Sequence, residues 1–302
     1  MEDHGKIQIA EAGEADRPVL CRLSPRWFQH HLPTQSWCAI EGGEVIAAAM
    51  LEVLPDGTAS MEFDGCDAAA VAAAGGPLVD QVLDAAQTCG AIILDADVDS
   101  TASLQHSELL RSRGFETHET FDTFEAPRSM LQDRLTKVRK RMGDRIKSRF
   151  QADIVEIEQI HLDTVAAAWS AWIGGSVNRG IFDMRRRFSS HKPNDPERGL
   201  QLVATHEQAV VGFCCTRIVE PGVLKIEGEG IDPRFRLDTL HGRLASTMYE
   251  RAEAAGIHTI RFEAGSRQPN TRAMVRRNRI NSLNQRLHLR RQLDGDPTTH
   301  QT

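Results

Sequence analysis

The chain has 302 residues, of which 26% are charged and 40% hydrophobic, a globular composition with room for two domains of ordinary size. A net charge of −6 argues against broad, non-specific nucleic-acid binding, and no run approaches the ~20 apolar residues of a membrane-spanning helix. Met1 to Lys6 is polar, without the basic start and apolar middle of a signal peptide, and the six cysteines are scattered with no C-x-x-C pair, so free thiols in a reducing cytoplasm are expected.

In chain order, Ile7 to Ala10 reads as a short strand, and Asp16 to Leu32 as an irregular helix broken by Pro18 and Pro25. Trp37 to Ile40 and Val45 to Leu54 read as strands joined at Glu41-Gly42-Gly43-Glu44, and Thr58 to Phe63 continues the sheet after Pro55-Asp56-Gly57. Pro77 to Thr88 carries Leu78, Val79, Val82, Leu83 and Ala86 at helical spacing, with proline in the first turn and Gly90 as the stop. Ala91 to Leu94 is a short buried strand ending at Asp95. A helix over about 103–113 ends at Gly114, and Phe115 to Phe124 is a closing strand pair or a long strand.

The order then repeats. Asp153 to Ile160 alternates as a half-buried strand, and Leu162 to Ile173 is a helix with Val165, Ala168, Trp169 and Trp172. Gly174 to Gly199 is a polar loop region. Leu200 to Thr205, Val210 to Val219 and Val223 to Ile231 are strands, with turns at Glu207-Gln208 and Pro221-Gly222. Leu240 to Ala255 is a helix stopped by Gly256, Thr259 to Ala264 a strand, Pro269 to Leu283 a final helix and Leu287 to Leu293 a last strand. Between the halves, Arg128 to Phe150 is predominantly basic, with Leu131, Leu135, Val138, Met142, Ile146 and Phe150 at helical spacing, which predicts an amphipathic connecting helix. The expected organisation is an N-terminal domain over 1–126, the basic helix over 127–150, a C-terminal domain over 151–293 and a disordered tail over 294–302.

Each half carries part of one signature. The C-terminal half runs Ile231-Asp232-Pro233-Arg234-Phe235-Arg236-Leu237-Asp238-Thr239-Leu240-His241-Gly242 from a strand end into a helix, and later has Asn270 and Ala273 in an N-x-x-A pattern before its final helix. The N-terminal half has the Gly114-Phe115 ending after Leu110. With the repeated element order, these fragments resemble the GNAT acetyltransferase superfamily in a tandem arrangement, as in mycothiol synthase and the Fem-type aminoacyl transferases. The resemblance covers nearly the whole chain. It implies an α/β (α+β) fold of two tandem GNAT-like domains, each a mixed, mostly antiparallel sheet flanked by helices.

It also implies acetyl-CoA, or another acyl-CoA, as co-substrate. The family's loop, Q/R-x-x-G-x-G/A, cradles the pyrophosphate on backbone N–H groups at a helix start. On this sequence that places cofactor binding at Ile231, Arg234, Arg236, Leu237, Asp238, Thr239, Leu240 and His241, with Asn270 near the pantetheine arm. Leu237, Thr239 and His241 stand where the family has small residues; a helical first turn still presents its N–H groups without positive φ. The family's tyrosine acid has no counterpart, since Arg277, Asn281 and Ser282 occupy the end of the last helix. In the N-terminal half, Ala70 to Gly76 takes the loop position without a leading Arg or Gln, which marks that domain as a degenerate copy.

For direct acyl transfer a base must deprotonate the acceptor ammonium. Glu227 and Glu229 lie in Lys225-Ile226-Glu227-Gly228-Glu229-Gly230; two apart on a strand, they are expected to share a face and serve as catalytic base, with a solvated strand face as the plain alternative. Tyr249, the single tyrosine, reads as a partly buried helix residue. Cys214 and Cys215 point to opposite faces without a histidine placed to activate either, and His30-His31 lacks metal-ligand partners, so no metal is expected. Arg179, Arg185, Arg186, Arg187, Lys192 and Arg198 in the polar loop suit a small anionic amine acceptor, with a merely solvated loop as the plain alternative. Two rival readings stand beside the acyl-CoA-dependent N-acyltransferase. One is a Fem-like tRNA-dependent aminoacyl transferase, with tRNA held on the basic helix; the other is a non-catalytic GNAT-fold binding module.

Overall fold

The structure, a computed structural model, describes residues 6–23, 35–54, 56–99, 104–142, 152–173, 199–235 and 239–293. The chain forms two compact units. Unit 1 comprises Met1–Phe121, Gly265–Arg267 and Asn284–Thr302; unit 2 comprises Asp122–Ala264 and Gln268–Leu283. Each is a mostly antiparallel mixed sheet flanked by helices.

Unit 1 begins with β1 (Gln8–Glu11), a 3-10 turn at Glu14–Asp16 and α1 (Arg17–Leu23). The rest of the predicted first helix, 24–32, lies outside the described residues. β2 (Gln35–Glu41) and β3 (Glu44–Val53) form the expected hairpin, where Gly42 and Gly43 take φ of 58° and 87°, values costly for any residue with a Cβ. β4 (Thr58–Gly65) follows, then α2 (Ala68–Thr88), β5 (Ile93–Asp99) and α3 (Leu104–Ser112).

The helix expected from Pro77 starts nine residues earlier than its proline, at Ala68, so Ala70 to Gly76 is helical instead of a loop. Two local causes are visible. The segment 68–74 is almost wholly alanine, the best helix former, and Asp67 caps it by accepting the Ala70 N–H at 2.8 Å. Pro77 sits inside the helix. Gly75 and Gly76 serve close packing: a Cβ on Gly75 would lie 2.8 Å from Leu109 Cδ2. The buried face of α2, Val71, Leu78, Val79, Val82 and Leu83, packs on Ala49, Leu51, Met61, Leu94 and Ala96 of the sheet.

The last strand of unit 1 comes from the far end of the chain. β12 (Ser282–Gln292) pairs antiparallel with β5 from Arg286↔Asp99 to Gln292↔Ile93. Leu289 and Leu293 join the core, while Arg286, His288 and Arg290 stand directly opposite Asp99, Asp97 and Asp95. The strand order within unit 1 is β1-β2-β3-β4-β5-β12, with β4 and β5 parallel.

β6 (Glu116–Pro127) begins in unit 1 and ends in unit 2, where the order is β6-β11-β10-β9-β8-β7. The basic segment is helical as α4 (Arg128–Met142), with Leu131 buried in the unit 2 core; residues 143–151 lie outside the described set. β7 (Asp153–Glu156), α5 (Leu162–Trp172), β8 (Gln201–His206), β9 (Ala209–Glu220), β10 (Val223–Ile231), α6 (Leu240–Ala254), β11 (Thr259–Gly265) and α7 (Pro269–Arg277) follow in the expected order, with β7 ending four residues early, before a 3-10 turn at Gln159–His161. α7 is shorter than predicted, because Arg279 takes φ of 54° and the chain turns into β12. Two cores flank this sheet. Leu240, Leu244, Met248 and Ala252 of α6 cover Cys214, Leu224, Ile231 and Ile260, and Val165, Ala166 and Ala168 of α5 cover Val203, Phe213 and Cys215.

No helix among the described residues is long and apolar enough to cross a membrane. Cys38, Cys66, Cys89, Cys214 and Cys215 are free thiols.

Candidate functional site

The site is built where β10 leaves its parallel neighbour. β10 and β11 pair at Val223↔Thr259, Leu224↔Ile260 and Lys225↔Arg261, and then part. The other side of β10 stays paired to β9 as far as Ile231↔Gly212. Among the described residues no strand pairs with that side of β10 from Ile226 to Ile231, and α6 begins nine residues further on.

The β9 register jumps between Ile226↔Thr216 and Gly228↔Cys215, so Glu227 is the extra residue of a β-bulge. This corrects the expectation that Glu227 and Glu229 share a face, because an inserted residue breaks the period of two. Glu229 stands opposite Cys214, on the face covered by α6. Glu227 instead forms an ion pair with Arg217 (Nε to Oε1, 3.3 Å), and Arg217 stands opposite Lys225. Lys225 in turn pairs with Glu263 of β11 at 2.7 Å.

On the α6 side, His241 Nε2 lies 2.5 Å from Glu229 Oε1. His241 is the second residue of α6, where the helix dipole opposes a cation. The Glu229 charge nevertheless raises the imidazole above its ordinary value, helped by the hydrogen-bonding contact and opposed by burial. Tyr249 packs against the same core, and burial, then Glu229 and Cys214, push its phenol well up. The Cys214 thiol is likewise pushed far up, by burial first and then by Glu229 and Cys215, which leaves it an inert core group.

Apart from Asn270, the remaining predicted residues that are described fall along the turn from β10 to α6. Ile231 is buried, and the Asp232 N–H continues the ladder to Val211 O at 3.1 Å. Arg234 is exposed but engaged: its Nε and Nη2 reach the Asp232 carboxylate at 3.1 and 2.6 Å, and its backbone N–H donates to Asp232 Oδ1 at 2.8 Å. This pairing raises the Arg234 guanidinium further. Phe235 anchors the turn in the core. Arg236, Leu237 and Asp238 lie outside the described residues. Thr239 makes no side-chain cap to α6, and its carbonyl accepts the Arg243 N–H at 2.9 Å. Leu240 is buried, and Asn270 is exposed in the first turn of α7. The basic cluster from Arg179 to Arg198 also lies outside the described residues.

The opposite wall of β10 is aromatic and close-fitting. A Cβ on Gly228 would lie 2.3 Å from Trp169 Cη2, and one on Gly230 would lie 2.7 Å from Phe213 Cε1. The Trp169 and Trp172 rings stack with Phe213 at centroid distances of 5.5 and 5.9 Å. The two glycines thus let α5 sit on the strand beside the bulge. Glycines inside a strand carry this signal in the sequence; Arg217 as the partner of Glu227 carried none.

No protein-family model matches the chain, and no curated protein matches it in sequence. Solved structures do match in fold. A GCN5-related N-acetyltransferase from Sphaerobacter thermophilus is similar over 95% of both chains, with a TM-score of 0.62 and 13% identity. A tandem GNAT protein from the clavulanic acid biosynthesis pathway is similar over 95% of this chain and 98% of its own, with a TM-score of 0.60 and 10% identity.

The fold is a tandem GNAT fold. A probable N-acyltransferase from Enterococcus faecalis matches 95% of this chain and 72% of its own length at a TM-score of 0.62 and 10% identity. In GNAT-fold terms, the parted β10 and β11, the bulge at Glu227 and the start of α6 belong to the C-terminal copy, and β4, β5 and α2 repeat that order in the N-terminal copy.

Proposed function

We propose that unit 2 is an acyl-CoA-dependent N-acyltransferase acting on an amine of a small, anionic acceptor by direct transfer. The observation that carries this reading is the parallel pair β10/β11 parting after three rungs ahead of α6, with Glu229 and His241 in contact at the start of that helix. The open strand edge suits an extended amide-bearing arm, and the start of α6 suits a pyrophosphate. The described helix start fits that group: Thr239 takes φ of −76°, so no glycine is needed there. Ile231, Arg234, Leu240, His241 and Asn270, with Arg236, Leu237, Asp238 and Thr239 between them, would hold acyl-CoA, whose thioester supplies the activated acyl group.

The chain's own residues then divide the work. Glu227, at the bulge and ion-paired to Arg217, would accept a proton from the acceptor amine. Glu229 favours the protonated form of His241 at the start of α6, where a positive ring would favour an anionic ligand. The aromatic wall of Trp169 and Trp172 lies on the other, α5 face of β10, against Gly228 and Gly230. Calorimetry with acetyl-CoA tests the reading. Micromolar-range binding, weakened by Arg236→Ala, is expected; no binding at millimolar ligand would sink it. Binding of aminoacylated tRNA in a gel shift, lost on neutralising Lys137 to Arg141, would instead favour the Fem-like reading.

A further inference from the structure

A row of three cations crosses the sheet of unit 2. In register, Arg217 of β9 stands opposite Lys225 of β10, and Lys225 opposite Arg261 of β11. Like charges directly opposite one another destabilise a sheet, so each cation needs a carboxylate. Arg261 has Glu125, and Glu220 at 2.7 Å. Lys225 has Glu263 at 2.7 Å. Both of these cations are well covered, at 22% side-chain exposure.

Arg217 is the exception. Its carboxylate among the described residues is Glu227, and Nε lies 3.3 Å from Oε1 without making a hydrogen bond. That Nε is buried, yet the side chain is 43% exposed, so the exposure falls on the rest of the side chain. A guanidinium carries several further N–H donors, which leaves Arg217 with donor capacity beyond Glu227. The bulge therefore sets a carboxylate and a half-exposed guanidinium side by side, in the stretch where β11 has left β10.

A ligand complementary to such a pair carries both charges itself. An α-amino acid holds its ammonium and its carboxylate on one carbon, so its charges stand as close together as those of Glu227 and Arg217. Laid alongside the pair in the opposite sense, its ammonium meets Glu227 and its carboxylate meets Arg217, where two oxygens suit the planar fork. A simple amine leaves Arg217 unanswered, and a simple anion meets the charge of Glu227.

On the acyl-transfer reading of unit 2, on which this rests, we propose that the acceptor is an α-amino acid and that Arg217 selects it by its carboxylate. The ammonium gives one proton to Glu227. Its nitrogen then bonds to the thioester carbonyl carbon, the C–S bond breaks, and a second proton passes from the nitrogen to the departing thiolate. The products are the N-acylated amino acid and free CoA, and Glu227 returns its proton to water.

The test measures CoA thiol release by the full chain from acetyl-CoA, with the common α-amino acids and their matched α-amides as acceptors. At least one amino acid should turn over with kcat/KM roughly tenfold or more above that of its amide. Arg217→Gln should remove the preference by raising KM for the amino acid roughly tenfold while leaving the amide unchanged, and Arg217→Lys should recover part of it. Melting temperatures check the fold of both variants, and the comparison of acid with amide in the wild type decides without them. Equal or faster turnover of the amide, equal losses on both acceptors in Arg217→Gln, or acetyl-CoA binding in calorimetry with no amino acid accepted overturns the proposal and leaves the acyltransferase reading standing. Absence of acetyl-CoA binding removes that reading, and the amino-acid assignment with it.

Discussion

Replacing His288 with glutamine in the β5–β12 pair of unit 1 should remove a pH-dependent part of its stability. His288 is 21% exposed at its side chain, with Nδ1 2.9 Å from Asp97 Oδ1 and Nε2 3.6 Å from Asp95 Oδ1. Arg290 binds the Asp95 carboxylate with both Nε and Nη2, at 2.7 and 3.0 Å. Burial alone would lower the imidazole, but the hydrogen bonds and charges of Asp95 and Asp97 override it and raise His288 from 6.5 to about 9. A shift of that size is worth about 3 kcal/mol, because each unit is about 1.4 kcal/mol. The folded value lies above the unfolded one. The stabilisation is therefore complete below about pH 6.5 and is lost as pH rises through about 9.

Asp95, held at about 2, reports the same contacts from the acid side and adds no second 3 kcal/mol. There the sign is opposite: its contribution is present above the unfolded value of 3.8 and disappears as pH falls through about 2. The assay is hydrogen exchange of peptides spanning β5 and β12 from pH 6 to pH 10, corrected for intrinsic rates. Wild type should lose protection between about pH 7 and 9, and His288→Gln should start lower by about 2–3 kcal/mol and stay flat there. Parallel pH profiles for the two proteins, or an imidazole resonance titrating near 6.5, would refute the reasoning.

Two further outcomes follow from unit 2. Gly228→Ala places a Cβ against the Trp169 ring and should destabilise by about 1–3 kcal/mol in urea unfolding, with Trp169→Leu in the same chain recovering part of the loss; a fully stable Gly228→Ala protein would contradict the close packing of α5 on β10. Glu229→Gln should move the His241 imidazole back toward its ordinary value in an NMR titration, and an unchanged titration would mean that Glu229 does not hold it.

The legibility of this chain varied element by element. The helix over Leu240–Ala254 was readable because one apolar face recurs at helical spacing and Gly256 stops it. The hairpin at Gly42-Gly43 was readable because only glycine takes both positive φ values without cost. The early start of α2 was hidden by Pro77, which reads as a first-turn residue, although the alanine run and Asp67 before it were the better guide. The bulge was not legible at all. Lys225 to Gly230 alternates perfectly, and the extra residue appears only when β10 is laid against β9. The pair of candidate bases therefore became two separate sites, Glu227 with Arg217 and Glu229 with His241.

The amino-acid sequence by itself determined the kind of fold and its repetition, because hydrophobic period, turn residues and helix stops are local properties of the chain. Asp95, Asp97 and Asp99 alternate on one segment, and Arg286, His288 and Arg290 alternate on another; both patterns were in plain view. That they face each other, and that the last strand closes the first unit, only the tertiary structure decided. Strand pairing is a long-range choice: it depends on which buried rows and which charges meet across nearly two hundred residues, and no local pattern carries that information.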